Sequence, residues 1–207
     1  NVLSPRGLLL VGHASEAAAF HADVVEMGLS EISPGDACAR VPILNPEAVA
    51  FAALSASASD IDTDQILQTA ARRIRAAGGR IVTKSPVEAI FKNPAGWTVN
   101  AVGTTASADL LVNAAGAWAD QVATLAGVAP LGLQPKRRSM ARLPAPGGHD
   151  VAGWPMLMGV AEGWYAKPDA GGWIVSPSEA DPVDPCDAWA DDMVLAEGLA
   201  RYEAMVN

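Results

Sequence analysis

Lys136-Arg137-Arg138 opens a β-type run in a chain that otherwise leans acidic, with 23 Asp and Glu against 14 Lys and Arg. A guanidinium holds a carboxylate through two parallel hydrogen bonds, so the chemistry on offer is the clamping of a small anion. Strand alternation sends Arg137 to one face and Arg138 to the other, with Lys136, Met140 and Arg142 beside Arg138. Periodicity does not choose between the two arginines, and a solvated basic rim is the competing reading. Tyr165, one of two tyrosines, offers an aromatic face and a hydroxyl to a bound molecule. Its competing role is core filling. Ala114, Ala115 and Gly116 stand between an apolar run and a helix pattern in DLLVNAAGAWADQVATLAGV, residues 109–128. Two alanines and a glycine remove bulk there, so that a backbone or a ligand can come close; tight strand-to-helix packing is the alternative.

Other chemistries find no support. Asp60, Asp62 and Asp64 imitate the start of a calcium loop, but Gln65 and Ala71 stand where that loop needs Gly and Glu. They read as helix-capping acids, and no metal site is expected. His13, His21 and His149 are scattered without a ligand spacing. Cys38 and Cys186 form no CxxC, and Cys38 sits in a plain helical context with no GxSxG elbow elsewhere. GxGxxG and GxxxxGK[ST] are both missing.

The elements that must position these residues alternate along the chain. Gly7 to Val11 reads as a strand, and Ser15 caps a helix that ends at Gly28. A second short helix follows Ser33-Pro34, and Ala48 to Ala56 is apolar enough for a strand. Asp62 or Thr63 caps a helix with an apolar stripe of Ile66, Leu67, Ala70, Ala71 and Ile74, stopped at Gly78-Gly79. Arg80 to Thr83, Val87 to Phe91 and Trp97 to Val102 read as a strand leading into a small meander. Leu110 to Asn113 reads as a buried strand and Trp118 to Ala126 as a helix. From Pro130 to Pro185 the Gly and Pro punctuation predicts an antiparallel sheet, and a last helix runs from about Asp191.

Half of the 207 residues are apolar and the formal charge is -9. The chain can bury a core as one large or two small domains. A nucleic-acid surface is not expected, because phosphate binding needs clustered Lys and Arg; a small molecule or a protein is the expected partner. No apolar stretch reaches the roughly eighteen residues of a membrane span. Two unspaced cysteines and a start without signal-peptide features make the cytoplasm the expected compartment. The start without Met and the finish at Glu203-Ala-Met-Val-Asn207, inside a helical pattern, suggest a piece of a longer protein.

A helix ending in Gly-Gly, followed by RIVTKSPVEAIFKNPAGWTVNAVGTTASADLLVNAAGAWADQVATLAGVAPLGLQPKRR, resembles the FAD-dependent D-amino acid oxidase, glycine oxidase and sarcosine oxidase family. The later stretch GWYAKPDAGGWIVSPSEADPVDPCDAWADDMVLAEGLARYE is similar to the bacterial branch that includes D-arginine dehydrogenase. The resemblance implies an α+β or α/β fold: the middle part of a two-lobed flavoenzyme, with an incomplete FAD lobe and an antiparallel-sheet substrate lobe. Residues 1–58 and 129–190 would belong mainly to the substrate lobe, 59–128 to the middle of the FAD lobe, and 191–207 to a truncated helix. The family's Gly-rich FAD fingerprint should precede residue 1 and its closing Gly-rich segment should follow residue 207.

The same resemblance implies oxidation of an amino acid, D-arginine or another D-amino acid, glycine or sarcosine, by hydride transfer from Cα to FAD, giving the imino acid. It favours Arg138 and Tyr165 as the substrate-binding pair. It matches Val87 to the backbone position that meets the adenine, and Ala114, Ala115 and Gly116 to the strand end beside the cofactor. Trp118 shields the flavin region or fills core; Trp164 and Trp173 read as sheet packing. Lacking both ends of the FAD lobe, this chain alone is expected neither to retain FAD nor to turn over substrate. The alternative is a truncated, non-catalytic binding or scaffold module.

Overall fold

The computed structural model describes residues 2–207. From the N-terminus the elements are β1 (Leu3–Pro5), β2 (Leu8–Gly12), α1 (Ala17–Met27), β3 (Ser30–Ile32), α2 (Pro34–Arg40), β4 (Phe51–Ser55), β5 (Ser59–Ile61) and α3 (Thr63–Ala76). The chain continues through β6 (Val87–Asn93), β7 (Gly96–Ala101), β8 (Thr104–Ala108), α4 (Ala119–Leu125), β9 (Lys136–Arg137), β10 (Ala141–Leu143) and β11 (Met156–Gly159). It ends with β12 (Tyr165–Asp169), β13 (Gly172–Ser176), β14 (Asp181–Pro182) and α5 (Asp192–Glu203). Two compact units result. The first comprises Asn1–Thr63, Arg137–Asp181 and Ala188–Asn207; the second comprises Asp64–Lys136 and Pro182–Asp187.

The first unit is built on a seven-stranded sheet of order β10-β13-β12-β11-β2-β4-β3. Its pairs are antiparallel except β11 with β2, where Leu157 lies opposite Leu9 in a parallel ladder. The interior strand β2 has a continuous apolar sequence because both of its faces are covered. Leu9 and Val11 join a core with Ala37, Val41, Leu157, Trp164, Ala166, Trp173, Val175, Tyr202 and Met205. Leu10 points the other way, to Phe20 of α1, Ala53, Met158 and Val160. Trp173 is buried, and its indole N–H donates to the Tyr202 hydroxyl at 3.0 Å. That bond and the burial of Trp164 fit the sheet-packing role expected of both tryptophans.

The ends of the helices follow capping chemistry, with one substitution of agent. Ser33 accepts from the Asp36 N–H at the start of α2, and Asp191 accepts from Met193 and Val194 at the start of α5. At α1, however, Ser15 makes no cap. The preceding turn is closed by Glu16, whose carboxylate accepts the His13 N–H at 2.7 Å, and Gly28 ends the helix with φ +63°. Helix α5 stops at Glu203 and does not continue to Asn207 as its pattern suggested. The Asn45 N–H donates to the Met205 carbonyl, and Leu44 bridges Val206. A backbone partner in the core thus outweighs one more helical turn.

In the second unit β6, β7 and β8 form an antiparallel meander, as the sequence pattern predicts. Two expected strands do not form. Leu110 to Asn113 lies in no strand, with Leu110 and Val112 77% and 73% exposed, and Arg80 to Thr83 is likewise outside any strand. An apolar run becomes a buried strand only when a neighbour completes its ladder, and among the described residues these two have none. The stripe on α3 is equally uncovered: Ile66, Leu67 and Ile74 are all exposed, and the helix has no buried residue. Ile90 is the one buried large apolar residue described in this unit.

Candidate functional site

Tyr165 begins β12, opposite Ser176 of β13 and Met158 of β11. Its half-buried ring packs against the cluster around Leu10, Phe20 and Met158, while its hydroxyl makes no side-chain hydrogen bond among the described residues. Packing thus fixes the ring and leaves the polar end available.

The strand expected through residues 136–142 is broken, which corrects the alternation argument for the arginines. Strand β9 pairs with β14 in a two-stranded sheet while β10 edges the seven-stranded one, and residues 138–140 between them are in no strand, with Ser139 buried in the break. Arg137 is tied down instead, 3.2 Å from Asp181 and 4.0 Å from Asp191. Arg138 is more open. Its Nε donates to the Glu179 carbonyl at 3.3 Å, and its Nη2 lies 3.9 Å from Glu162 Oε2. Glu162 precedes Tyr165 by three residues, and Glu179 follows its cross-strand partner Ser176 by three, so Arg138 and Tyr165 share one end of the β12–β13 hairpin.

Sequence reasoning missed three features of this corner. Glu162 is one; it stands in a short turn between Gly159 and Gly163. Ala161 and Glu162 both adopt positive φ, +54° and +52°, a strained conformation for residues with a Cβ. The turn is held by the Ala161 N–H donating to Asp23 at 2.7 Å and by Arg201 donating to the Gly163 carbonyl at 2.9 Å. The third feature is a set of buried polar atoms without partners: Arg137 Nε, Ser139 Oγ and both carboxylate oxygens of Glu179. None of these features left a signal in the sequence that singles it out, because each depends on turn conformation or on distant partners.

Asp60 is also reassigned. It lies in β5, ahead of α3, and its carboxylate accepts from Arg6 Nε at 2.6 Å and from Lys167 Nζ at 2.8 Å. Arg6 donates further to the carbonyls of Ala152 and Trp154. Burial by itself would raise the Asp60 carboxyl, but the hydrogen bonds and charges of Lys167 and Arg6 outweigh it and hold the group below its usual value. A carboxylate whose folded-state value is depressed stabilises the fold above the unfolded value of about 3.9, and that contribution is lost as pH falls through the folded value. Asp60→Asn is therefore expected to lower stability at pH 7, with the gap to the parent closing below about pH 4. Urea midpoints across pH 3 to 8 check this, and a gap independent of pH would contradict it.

Burial pushes the Cys38 thiol up, away from the thiolate a nucleophile needs. Both cysteines are free, and no group of three or more His, Cys, Asp or Glu among the described residues is placed to hold a metal. No helix among them is long and apolar enough to cross a membrane.

The residues matched to the cofactor side lie in the second unit. Val87 starts the edge strand β6, opposite Ala101. Ala114 and Ala115 lie in the irregular stretch before α4, shaped by Asn113: its side chain accepts the Ala115 N–H at 3.2 Å and donates to the Ala119 carbonyl at 2.8 Å. Gly116 follows with φ +56°, and a Cβ built there meets nothing within 4 Å. Trp118 is exposed, so among the described residues it does not fill core. Residues 114–118 thus present small side chains, open space at Gly116 and the exposed ring of Trp118.

The seven-stranded mixed sheet and the meander-and-helix unit match the fold of FAD-dependent oxidoreductases. The chain belongs to the family described as FAD dependent oxidoreductase, whose sequence model matches residues 2–205. Among solved structures it resembles L-proline dehydrogenase from P. horikoshii, with TM-score 0.77 and 17% identity over 99% of this chain and 56% of that one. It resembles glycine oxidase from Geobacillus kaustophilus at TM-score 0.78 and 19% identity, over 99% and 55% of the two chains. L-alpha-glycerophosphate oxidase from Mycoplasma pneumoniae, solved with FAD bound, gives TM-score 0.81 and 19% identity over 99% and 57%. The chain thus spans little more than half the length of these relatives.

Proposed function

We propose that this chain is the substrate lobe and part of the FAD lobe of an enzyme that oxidises the Cα–N bond of an amino acid. Within it, the first unit carries the residues assigned to the substrate and the second carries the residues assigned to the cofactor. The observation that carries the reading is the contrast between the two arginines. Arg137 is balanced by two aspartates, whereas Arg138 keeps its outer edge accessible at the same hairpin end as the unpartnered Tyr165 hydroxyl. An open guanidinium and a phenol suit a carboxylate: the arginine takes its two oxygens, and the hydroxyl fixes its tilt.

With the carboxylate held, the Cα–H and the amine are presented in one orientation, and the aromatic face of Tyr165 keeps water from that side. The reaction removes a hydride from Cα and a proton from the amine nitrogen, leaving the imino acid. FAD, when bound, supplies the acceptor for the two electrons. Val87, Ala114, Ala115, Gly116 and Trp118 are the residues of this chain assigned to its side of the site. The amino acid solved-structure relatives include proline and glycine enzymes by their names; D-arginine, other D-amino acids, glycine and sarcosine are the substrates to test here.

Two substitutions test the assignment in the protein expressed from its complete reading frame. Tyr165→Phe keeps the ring and its packing and removes only the hydroxyl, so KM for the amino acid is expected to rise about fivefold to tenfold, the worth of one hydrogen bond. An unchanged KM would leave Tyr165 a packing residue. Gly116→Ala forces a Cβ into a left-handed conformation at a cost of about 1 kcal/mol, and is expected to weaken FAD retention, read as flavin fluorescence released on dilution. Equal retention would reduce Gly116 to a helix-entry turn.

A further inference from the structure

We infer that Glu162 is a built-in competitor for the substrate carboxylate, resting on the Arg138 edge and displaced when the amino acid binds. The inference rests on the reading of Arg138 as the carboxylate clamp. Three observations support it. The Glu162 carboxylate lies 3.9 Å from Arg138 Nη2, close enough to balance its charge yet beyond hydrogen-bonding distance. Arg138 Nε is meanwhile taken by the Glu179 carbonyl, so the Nη1–Nη2 end is the pair left for a bidentate ligand, and Glu162 lies against one of those two nitrogens. The turn that presents Glu162 is strained at two successive residues and is fastened on both sides by Asp23 and Arg201. Such a conformation persists only where its surroundings impose it.

The energetics allow exchange. Glu162 is largely exposed and Arg138 nearly half exposed, 69% and 44% by side chain, so their attraction is screened and worth only about a twofold to fivefold change in an equilibrium. A substrate carboxylate that bonds both guanidinium nitrogens at about 2.8 Å gains more and wins the site. Before substrate arrives, the resident carboxylate lowers the affinity of that edge for stray anions. Glu162 thereby sets a threshold at that edge: it lowers the apparent affinity of every anion by the same small factor, which a bidentate carboxylate readily overcomes.

The test uses the complete, FAD-loaded protein and 2-aminoisobutyrate, an amino acid with no Cα hydrogen to lose, with binding read by titration calorimetry. Glu162→Gln is expected to tighten binding about twofold to fivefold, and the same change in an Arg138→Ala background is expected to have no effect. Arg138→Ala alone should weaken binding. If it does weaken binding while Glu162→Gln leaves the affinity unchanged or lowers it, the competitor role falls and the clamp reading stands. If Arg138→Ala leaves binding unchanged, the clamp reading falls and the competitor role falls with it.

Discussion

Replacing Arg138 with alanine is expected to raise KM for the amino acid substrate tenfold to a hundredfold in the complete protein. Hydrogen bonds to a charged group contribute about 1.5–3 kcal/mol, and each 1.4 kcal/mol is a factor of ten. Arg138→Lys should fall between the two, because an ammonium keeps the charge and loses the planar fork. The neighbouring Arg137→Ala is expected to act differently. Its side chain is only 20% exposed and sits against Asp181 and Asp191, so its removal leaves those carboxylates without their cation and lowers stability more than it changes KM. Steady-state kinetics on the three variants, with urea midpoints beside them, separates the roles. A KM for Arg138→Ala within twofold of the parent would remove Arg138 from the site.

Trp173→Ala is expected to be the most damaging single change to the fold of the first unit, at about 3–5 kcal/mol. Trp173 is 1% exposed, meets Trp154 edge to face at 5.5 Å between ring centroids, and donates to Tyr202 of α5. Since a domain holds only about 5–15 kcal/mol in all, the loss would bring the chain near its unfolding threshold. Trp173→Phe retains an aromatic ring but strands the buried Tyr202 hydroxyl, so about 1–3 kcal/mol is expected. Burial already raises the Tyr202 phenol above its ordinary value, against the lowering effect of the Trp173 bond and with a smaller raising effect from Glu203. Equilibrium denaturation orders the variants; a Trp173→Ala loss below 1 kcal/mol would show that the sheet and α5 are not coupled through this pair.

What the sequence made legible was whatever the chain satisfies locally. The capping of α2 and α5, the β6–β8 meander and the Gly-punctuated antiparallel strands all depend on residues close in sequence. The failures share a physical cause, which is dependence on distant partners. Leu110 to Asn113 has strand composition but no ladder neighbour among the described residues. Asp60 looked like a cap because its partners, Arg6 and Lys167, lie 54 and 107 residues away. The arginine run looked like a continuous strand until Arg137 met Asp181 and Asp191. At the candidate site, Arg138 and Tyr165 could be singled out from their types and from a family resemblance. Glu162 could not, because its importance comes from a turn conformation that composition does not encode.

The most direct test of the account is an anaerobic visible spectrum of the protein expressed from the complete reading frame, before and after addition of amino acids that include D-arginine, glycine and sarcosine. The account predicts an oxidised flavin band that bleaches with at least one of them, as Cα gives up its hydride. A bound flavin that stays oxidised with every amino acid would contradict the assigned reaction while keeping the family. A protein that carries no flavin at all would contradict the central claim, and would leave a non-catalytic binding or scaffold module in its place.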